Sequence, residues 1–273
     1  MTDKHDRLAV ERVRHPIVIR RVHVKRVTRM SSQLVRITLE GAALQGFASA
    51  SFDDHVKVFF PEPGQSQPVL PEATPNGLVF PEGLDRPATR DYTPRRFDPI
   101  KQELDIEFVL HGDGPACSWA AQASVGQTLG LGGPKGSFVI PTAFDWFAFF
   151  GDDTAIPAIA RRLEELPTGK RVAAFIEVQD AQSQVALRSP AASSVQWLHR
   201  GDVSAARSTC LVDAARAFSV PPGEGYVWVA AESAASKAVR EVFIAQHGLS
   251  KDRIRASSYW KAGARAVHES HAD

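Results

Sequence analysis

The chain has 273 residues, 44% hydrophobic and 23% charged, with a formal net charge of +1. That length exceeds the usual single-domain size and predicts two domains. A net charge so close to zero supplies no field to gather a polyanion, which argues against wholesale nucleic-acid or membrane binding and leaves any functional charge local. Cys117 and Cys210 lie far apart, without Cys-x-x-Cys or Cys/His spacing, so no zinc or iron–sulfur centre held by this chain is expected. Residues 1–29 carry nine Lys or Arg against three acids and lack the apolar core of a secretory signal. This predicts a cytoplasmic protein whose first strand is basic, solvated and partly frayed.

Alternation of period two marks strands at Val35, Ile37 and Leu39, at Val56, Val58 and Phe60, and at Leu104, Ile106, Phe108 and Leu110. Loops such as Pro61-Glu62-Pro63-Gly64 separate them, which predicts an antiparallel barrel closing near Phe138-Val139-Ile140-Pro141. Within this region Arg90-Asp91-Tyr92-Thr93 sets a cation, an aromatic plate and a hydroxyl close together, suited to a ring system joined to a phosphate tail. Further on comes His111-Gly112-Asp113-Gly114-Pro115-Ala116-Cys117-Ser118-Trp119. Gly112 and Gly114 let the backbone approach an anion, and Ala116, Cys117 and Ser118 open a helix whose N–H groups attract negative charge. Together the two segments read as a flavin site. The bland alternative, that Arg-x-Tyr-Thr merely closes a barrel strand, is weakened by the cradle downstream. His111 ends a strand whose outward face also carries Asp105 and Glu107, and Cys117 reads as packing rather than as a nucleophile.

After about residue 145 strands alternate with helices. The apolar run Trp146-Phe147-Ala148-Phe149-Phe150 leads into Gly151-Asp152-Asp153-Thr154, and a helix follows with Asp153 or Thr154 as cap, Pro157 in its first turn, and Ile156, Ile159, Leu163 and Leu166 on one face. Further strands are predicted at Val172 to Val178, Val195 to Leu198 and Tyr226 to Ala231, with helices near Cys210 to Phe218 and Ser233 to His247. This is an α/β nucleotide-binding layout. The Asp152–Asp153 turn lies where open α/β sheets bind ligands, yet both acids repel a pyrophosphate, so contact with a nicotinamide or flavin is expected through Thr154 and Ala155. Arg200, Lys237 and Arg240 are candidates for a 2′-phosphate, though each also fits an exposed loop or helix face, and NADH is not distinguished from NADPH. The tail after Ala264 reads as loosely held.

A barrel followed by an α/β domain, with these motifs between, resembles the ferredoxin-reductase-like flavoproteins. More specifically, the chain is similar to the siderophore-interacting protein family. The likeness rests on Arg90-Asp91-Tyr92-Thr93-Pro94-Arg95, the glycine turn with Trp119, Gly132-Gly133-Pro134-Lys135-Gly136-Ser137, Gly151-Asp152-Asp153-Thr154-Ala155-Ile156-Pro157-Ala158-Ile159 and Ser258-Tyr259-Trp260-Lys261-Ala262-Gly263, in order from about Ile17 to Gly263. The resemblance implies an N-terminal antiparallel β-barrel FAD-binding domain over residues 15–143 and a C-terminal α/β NAD(P)-binding domain over 144–264, with loosely ordered termini at 1–14 and 265–273. It implies FAD contacts for Arg90 at the phosphates, Tyr92 on the isoalloxazine and Thr93 near its reactive nitrogen. It also places Val109, His111, Gly112, Gly114, Pro115, Ala116, Cys117, Ser118 and Trp119 beside the cofactor. Glu232 matches an Ala/Gly-Glu turn near the nicotinamide; the alternative is an acidic cap to the helix from Ser233.

By the same resemblance, a basic pocket beside the flavin holds anionic ferric siderophores, with Lys57, Lys135 and Lys261 as candidates, although each lysine alone also fits a solvated surface. The implied activity is reduction of a ferric siderophore to release ferrous iron, electrons passing from NADH or NADPH through FAD, with no side chain forming a bond and no protein-held metal. The alternatives are a siderophore-binding carrier and a flavoprotein reduced by a ferredoxin. A monomer, binding neither nucleic acid nor membrane, is expected.

Overall fold

Short alternating runs carry the first half of the chain into strands, and the computed structural model describes residues 7–75, 77–112, 114–264 and 269–270. The chain divides into two compact units, one spanning Val10–Ile140 and the other the chain from Pro141 onward together with residues before Val10. In the first unit the strands are β1 (Glu11–Arg14), β2 (Ile19–Arg29), β3 (Leu34–Glu40), β4 (Val56–Phe59), β5 (Glu72–Thr74), β6 (Gly77–Val79), β7 (Thr89–Tyr92), β8 (Pro94–Asp98), β9 (Glu103–Val109), β10 (Thr128–Gly132) and β11 (Gly136–Val139). Seven of them form an antiparallel sheet in the order β7-β4-β10-β2-β3-β9-β8. Its two edges, β7 and β8, are consecutive in the chain and joined through Thr93 alone, so the sheet curls into a nearly closed barrel. Pro94, which has no N–H for a ladder, opens β8 where the register shifts. The inward set Val22, Val24, Val35, Ile37, Leu39, Val56, Val58, Leu104, Ile106 and Phe108 forms the core, joined by Ala116, Trp119 and Ala120 from α1 (Pro115–Ala121).

Two expectations are corrected here. Residues 11–14, assigned to a loose terminus, form β1 and pair with β11 from Glu11↔Val139 to Arg14↔Gly136, because backbone hydrogen bonds rather than side-chain burial hold them. Asp105 and Glu107 do not present themselves to solvent from β9: they are 2% and 4% exposed. The arginine stems of neighbouring strands cover them, with Arg96 Nε 2.9 Å from Asp105, Thr38 Oγ1 donating to Asp105 at 2.7 Å, and Arg36 Nε donating to Glu107 at 2.9 Å.

The second unit contains β12 (Trp146–Gly151), α2 (Ile156–Glu165), β13 (Arg171–Val178), β14 (Ala192–His199), α3 (Cys210–Ala217), β15 (Gly225–Glu232), α4 (Ser233–Ala245), β16 (Ile254–Trp260) and β17 (Glu269–Ser270). The sheet order is β14-β13-β12-β15-β16-β17, parallel except at β17. β12 and β15 are buried along their whole length, as expected for strands covered on both faces. The strand order reverses between them, which puts the ligand-binding crevice of such a sheet at the ends marked by Gly151 and Glu232. The expectation of a loosely held tail falls mostly on 265–268 and 271–273, outside the described residues. Among the described residues no helix is long and apolar enough to cross a membrane. Nor is any group of three His, Cys, Asp or Glu among them placed to hold a metal ion.

Candidate functional site

In the barrel unit the site begins at the closing seam. β7 pairs with β4 so that Val58 faces Arg90, Lys57 faces Asp91 and Val56 faces Tyr92. The Tyr92 ring lies 4.3 Å from Phe108 and 6.5 Å from Phe60, within an aromatic group that Trp119 completes at 5.7 Å from Phe60. Burial pushes the Tyr92 phenol well above its ordinary pKa, so the ring is neutral at every working pH. Thr93 is buried at the seam itself. Among the described residues the Arg90 guanidinium donates to the Thr89 carbonyl at 2.7 Å and pairs with no carboxylate. An unneutralised guanidinium is what a phosphate requires.

Val109 ends β9, and the exposed His111 and the glycine turn follow; Asp113 lies outside the described residues. Gly112 adopts φ +63°, the left-handed region, and a Cβ added at Gly112 or Gly114 meets nothing within 4 Å. The space over the turn is therefore open. α1 begins without a side-chain cap, and since Pro115 has no N–H, the amides of Ala116 and Cys117 open the helix. Trp119 Nε1 is buried and lacks a hydrogen-bond partner among the described residues. Open backbone at a glycine turn, an uncapped helix start, an orphaned indole N–H, an unpaired arginine and an aromatic plate fit a flavin with its phosphate tail. Cys117 is half-buried, Ser118 is exposed, and neither Cys117 nor Cys210 forms a disulfide.

The barrel unit also brings two of the three lysines to one end of its sheet. Lys57 lies opposite Gly132 in the β4–β10 ladder, and Lys135 is three residues further on, exposed in the turn before β11. Arg20 secures that turn by donating to the Gly133 carbonyl at 3.1 Å. Lys57 is not an unpaired cation: its ammonium sits 2.7 Å from Asp91. Lys261 belongs to the other unit, exposed just beyond β16.

In the α/β unit the strand-to-helix turn differs from its sequence reading. Asp152, rather than Asp153 or Thr154, caps the turn: its Oδ1 accepts from Thr154 N at 3.0 Å and from the Thr154 hydroxyl. Its Oδ2 accepts from Glu232 N at 2.9 Å and Trp260 Nε1 at 2.8 Å. Asp153 is tied to Arg200 at 3.1 Å, so Arg200 is committed to an internal pair, and Arg240 is buried rather than exposed on α4; Lys237 is exposed. The expected cofactor contact through Ala155 does not fit, because Ala155 is wholly buried and its amide donates to the Asp152 carbonyl at 2.9 Å. Glu232 caps α4, its Oε2 accepting from Ala234 N and Ala235 N, as in the acidic-cap alternative, while Oε1 accepts from Ala262 N at 3.2 Å. Sequence reasoning missed the role of Asp152 as the meeting point of three strand ends. The available signal was an aspartate directly after a fully buried strand.

Burial and the adjacent Asp153 carboxylate push the Asp152 carboxyl up to about 7, against the pull of the Thr154 and Trp260 donors. A carboxyl whose folded pKa exceeds the roughly 3.9 of an unfolded aspartate binds its proton more readily when folded, so its contribution lowers stability as pH rises from about 4 to about 7. Urea unfolding at pH 5 and pH 8 is expected to show a smaller loss of stability between those values in Asp152→Asn than in the wild-type protein. An equal loss in both would assign the pH dependence to other groups.

A nearly closed antiparallel barrel with an uncapped glycine turn, joined in one chain to a parallel α/β sheet, is the two-domain fold of the ferredoxin-reductase-like class. Residues 23–138 match the siderophore-interacting FAD-binding domain, and residues 144–263 match the siderophore-interacting protein domain. The chain is 37% identical over 256 residues to the NADPH-dependent ferric-chelate reductase of Escherichia coli K12, covering 92% of this chain and 96% of that protein. It is 35% identical over 265 residues to the ferric vibriobactin reductase of Vibrio cholerae, covering 95% of each. The crystal structure of a siderophore utilization protein from T. fusca superposes with a TM-score of 0.89 at 34% identity, covering 97% of this chain and 100% of that one. The chain belongs to the siderophore-interacting protein family.

Proposed function

We propose that the protein is an FAD-dependent NAD(P)H ferric-siderophore reductase of the cytoplasm, where the nicotinamide reductant is supplied. The observation that carries this reading is the closing seam of the barrel, where Arg90, which pairs with no carboxylate among the described residues, and the Tyr92 ring share a unit with an open, uncapped glycine turn. Arg90 and the amides that open α1 hold the phosphates, and Tyr92 packs its neutral ring on the isoalloxazine. Held there, FAD would supply the conversion between the two-electron chemistry of a nicotinamide and the one-electron reduction of ferric iron. The cations each unit offers an anionic chelate are, in the barrel, the exposed Lys135 with Lys57, whose charge Asp91 partly offsets, and in the α/β unit the exposed Lys261. Once reduced, the softer and less charged ferrous ion is held less tightly by hard oxygen donors, and the iron is released. The α/β unit takes the dinucleotide, and since each unit carries its own core, a monomer suffices.

A ferredoxin as electron donor is the second reading, and one observation favours it. At the start of the helix after β12, where α/β sheets commonly place a phosphate, the Asp152 side chain already takes up the Thr154 amide. Anaerobic spectroscopy separates the two. The purified protein is expected to be yellow, to bleach with NADPH or NADH, and to regain colour when a ferric chelate is added. Bleaching by reduced ferredoxin alone would support the second reading, and a colourless protein that binds chelate tightly would make it a carrier. Combining Lys57→Gln with Lys135→Glu is expected to raise KM for a multiply charged catecholate chelate about tenfold, equivalent to about 1.4 kcal/mol, with little change for an uncharged chelate.

A further inference from the structure

We infer that Asp152 and Glu232 are positioning residues which together fix the chain around Lys261, an inference that rests on the substrate role given above to that lysine. The two carboxylates close adjacent strands, β12 and β15, at the point where the sheet order reverses. Each divides its oxygens in the same way. Asp152 gives Oδ1 to the turn that starts its own helix and Oδ2 to Trp260 Nε1 at 2.8 Å. Glu232 gives Oε2 to the start of α4 and Oε1 to Ala262 N at 3.2 Å. Asp152 Oδ2 also accepts Glu232 N at 2.9 Å, which couples the two clamps. Trp260 and Ala262 flank Lys261, so the residue on either side of the exposed lysine is held by a buried carboxylate. Ala264 N closes the turn by donating to the Lys261 carbonyl at 3.1 Å.

Capping alone does not account for this arrangement. A serine, threonine or asparagine satisfies a helix start without burying a charge. Asp152 and Glu232 are 2% and 5% exposed, and among the described residues neither forms an ion pair. What the acids add over neutral caps is a second acceptor oxygen, and in both cases that oxygen is spent on the segment carrying Lys261. A flexible lysine on a loose chain end forfeits ordering entropy when it meets a ligand, and one on a fixed backbone forfeits less.

The test is a double-mutant cycle in the flavin-loaded full chain. In Asp152→Asn the amide oxygen can still serve Thr154, whereas the amide NH₂ meets the Glu232 and Trp260 donors, so the cap survives and the clamp is lost. Asp152→Asn is expected to raise KM for a multiply anionic ferric chelate roughly fivefold while kcat with an uncharged ferric chelate stays within about twofold. In a Lys261→Gln background the same change adds little, because the two act through one contact. Trp260→Phe, which removes the donor and leaves the carboxylate in place, reproduces the KM effect and covers the case in which Asp152→Asn does not fold. An active enzyme whose KM is unchanged by Trp260→Phe and Asp152→Asn overturns the positioning role, as does an equal effect of either in the Lys261→Gln background. Absence of chelate reduction by the wild-type flavoprotein instead removes the function on which the inference stands.

Discussion

Arg90→Ala is expected to yield protein that purifies with little or no flavin while melting close to the wild-type temperature. Arg90 is half-exposed on β7, and among the described residues its guanidinium has a single backbone carbonyl as partner. Removing it therefore costs the fold about one exposed hydrogen bond, on the order of 1 kcal/mol or less. A guanidinium on a phosphate is charge-assisted, and its loss is worth roughly 1.5 to 3 kcal/mol, or about 10- to 100-fold in flavin affinity. Tyr92→Phe keeps the ring against Phe108 and is expected to retain flavin. Equilibrium titration of deflavinated protein with FAD, followed by the flavin spectrum, measures both. Unchanged affinity in Arg90→Ala would remove the phosphate tail from the seam and with it the site proposed there.

Gly225→Val carries the largest stability effect. Gly225 opens β15 directly across from Trp146 of β12, and an added Cβ would lie 1.9 Å from Trp146 Cε2 and 2.0 Å from Cζ2. No small adjustment resolves that overlap, because the indole is 1% exposed and packed against Phe218 at 6.0 Å. The tryptophan must leave its site. Exposing an aromatic side chain of this size costs on the order of 5 kcal/mol, comparable with the whole stability of many domains. The variant is expected to be largely insoluble or to melt at least about 10 °C lower, with red-shifted tryptophan emission. Truncating the neighbour as well, in Gly225→Val with Trp146→Ala, is expected to recover soluble protein, since the clash disappears although a cavity remains. A single variant with wild-type melting would mean that the indole has room to move.

The barrel and the α/β sheet were legible because their signals are local. Val35-x-Ile37-x-Leu39 and Leu104-x-Ile106-x-Phe108 alternate with the pleat, and both runs become β-strands whose alternate apolar residues enter the core. Trp146–Phe150 is a continuous apolar run because β12 is covered on both faces, and the predicted helices at Cys210 and Ser233 lie within about two residues of α3 and α4. The two segments proposed to hold the flavin stood out for a similar reason. A cation, a ring and a glycine turn must be near one another to meet one ligand, and β7 and the turn after β9 keep them within short stretches of chain.

Partner choice was not legible. Nothing near Lys57 in sequence announces that Asp91 pairs with it, and Arg200 reads as a loop cation until it meets Asp153. Asp105 and Glu107 alternate correctly for an outward face, yet basic residues on neighbouring strands bury them. The clearest case is Asp152, which gathers Glu232 and Trp260 across 80 and 108 residues of chain. Periodicity, turn chemistry and composition act over a few residues, and they sufficed to mark β3, β4, β9, β12, β13 and β15, the helices α2 to α4 and the two segments proposed for the flavin, but not β1 or β16. Which side chains meet at a strand end depends on strand order and register, and a parallel sheet assembles these only when distant segments come together. Folding alone therefore brought together the carboxylate clamp on either side of Lys261 and the pairing of Lys57 with Asp91 and of Arg200 with Asp153.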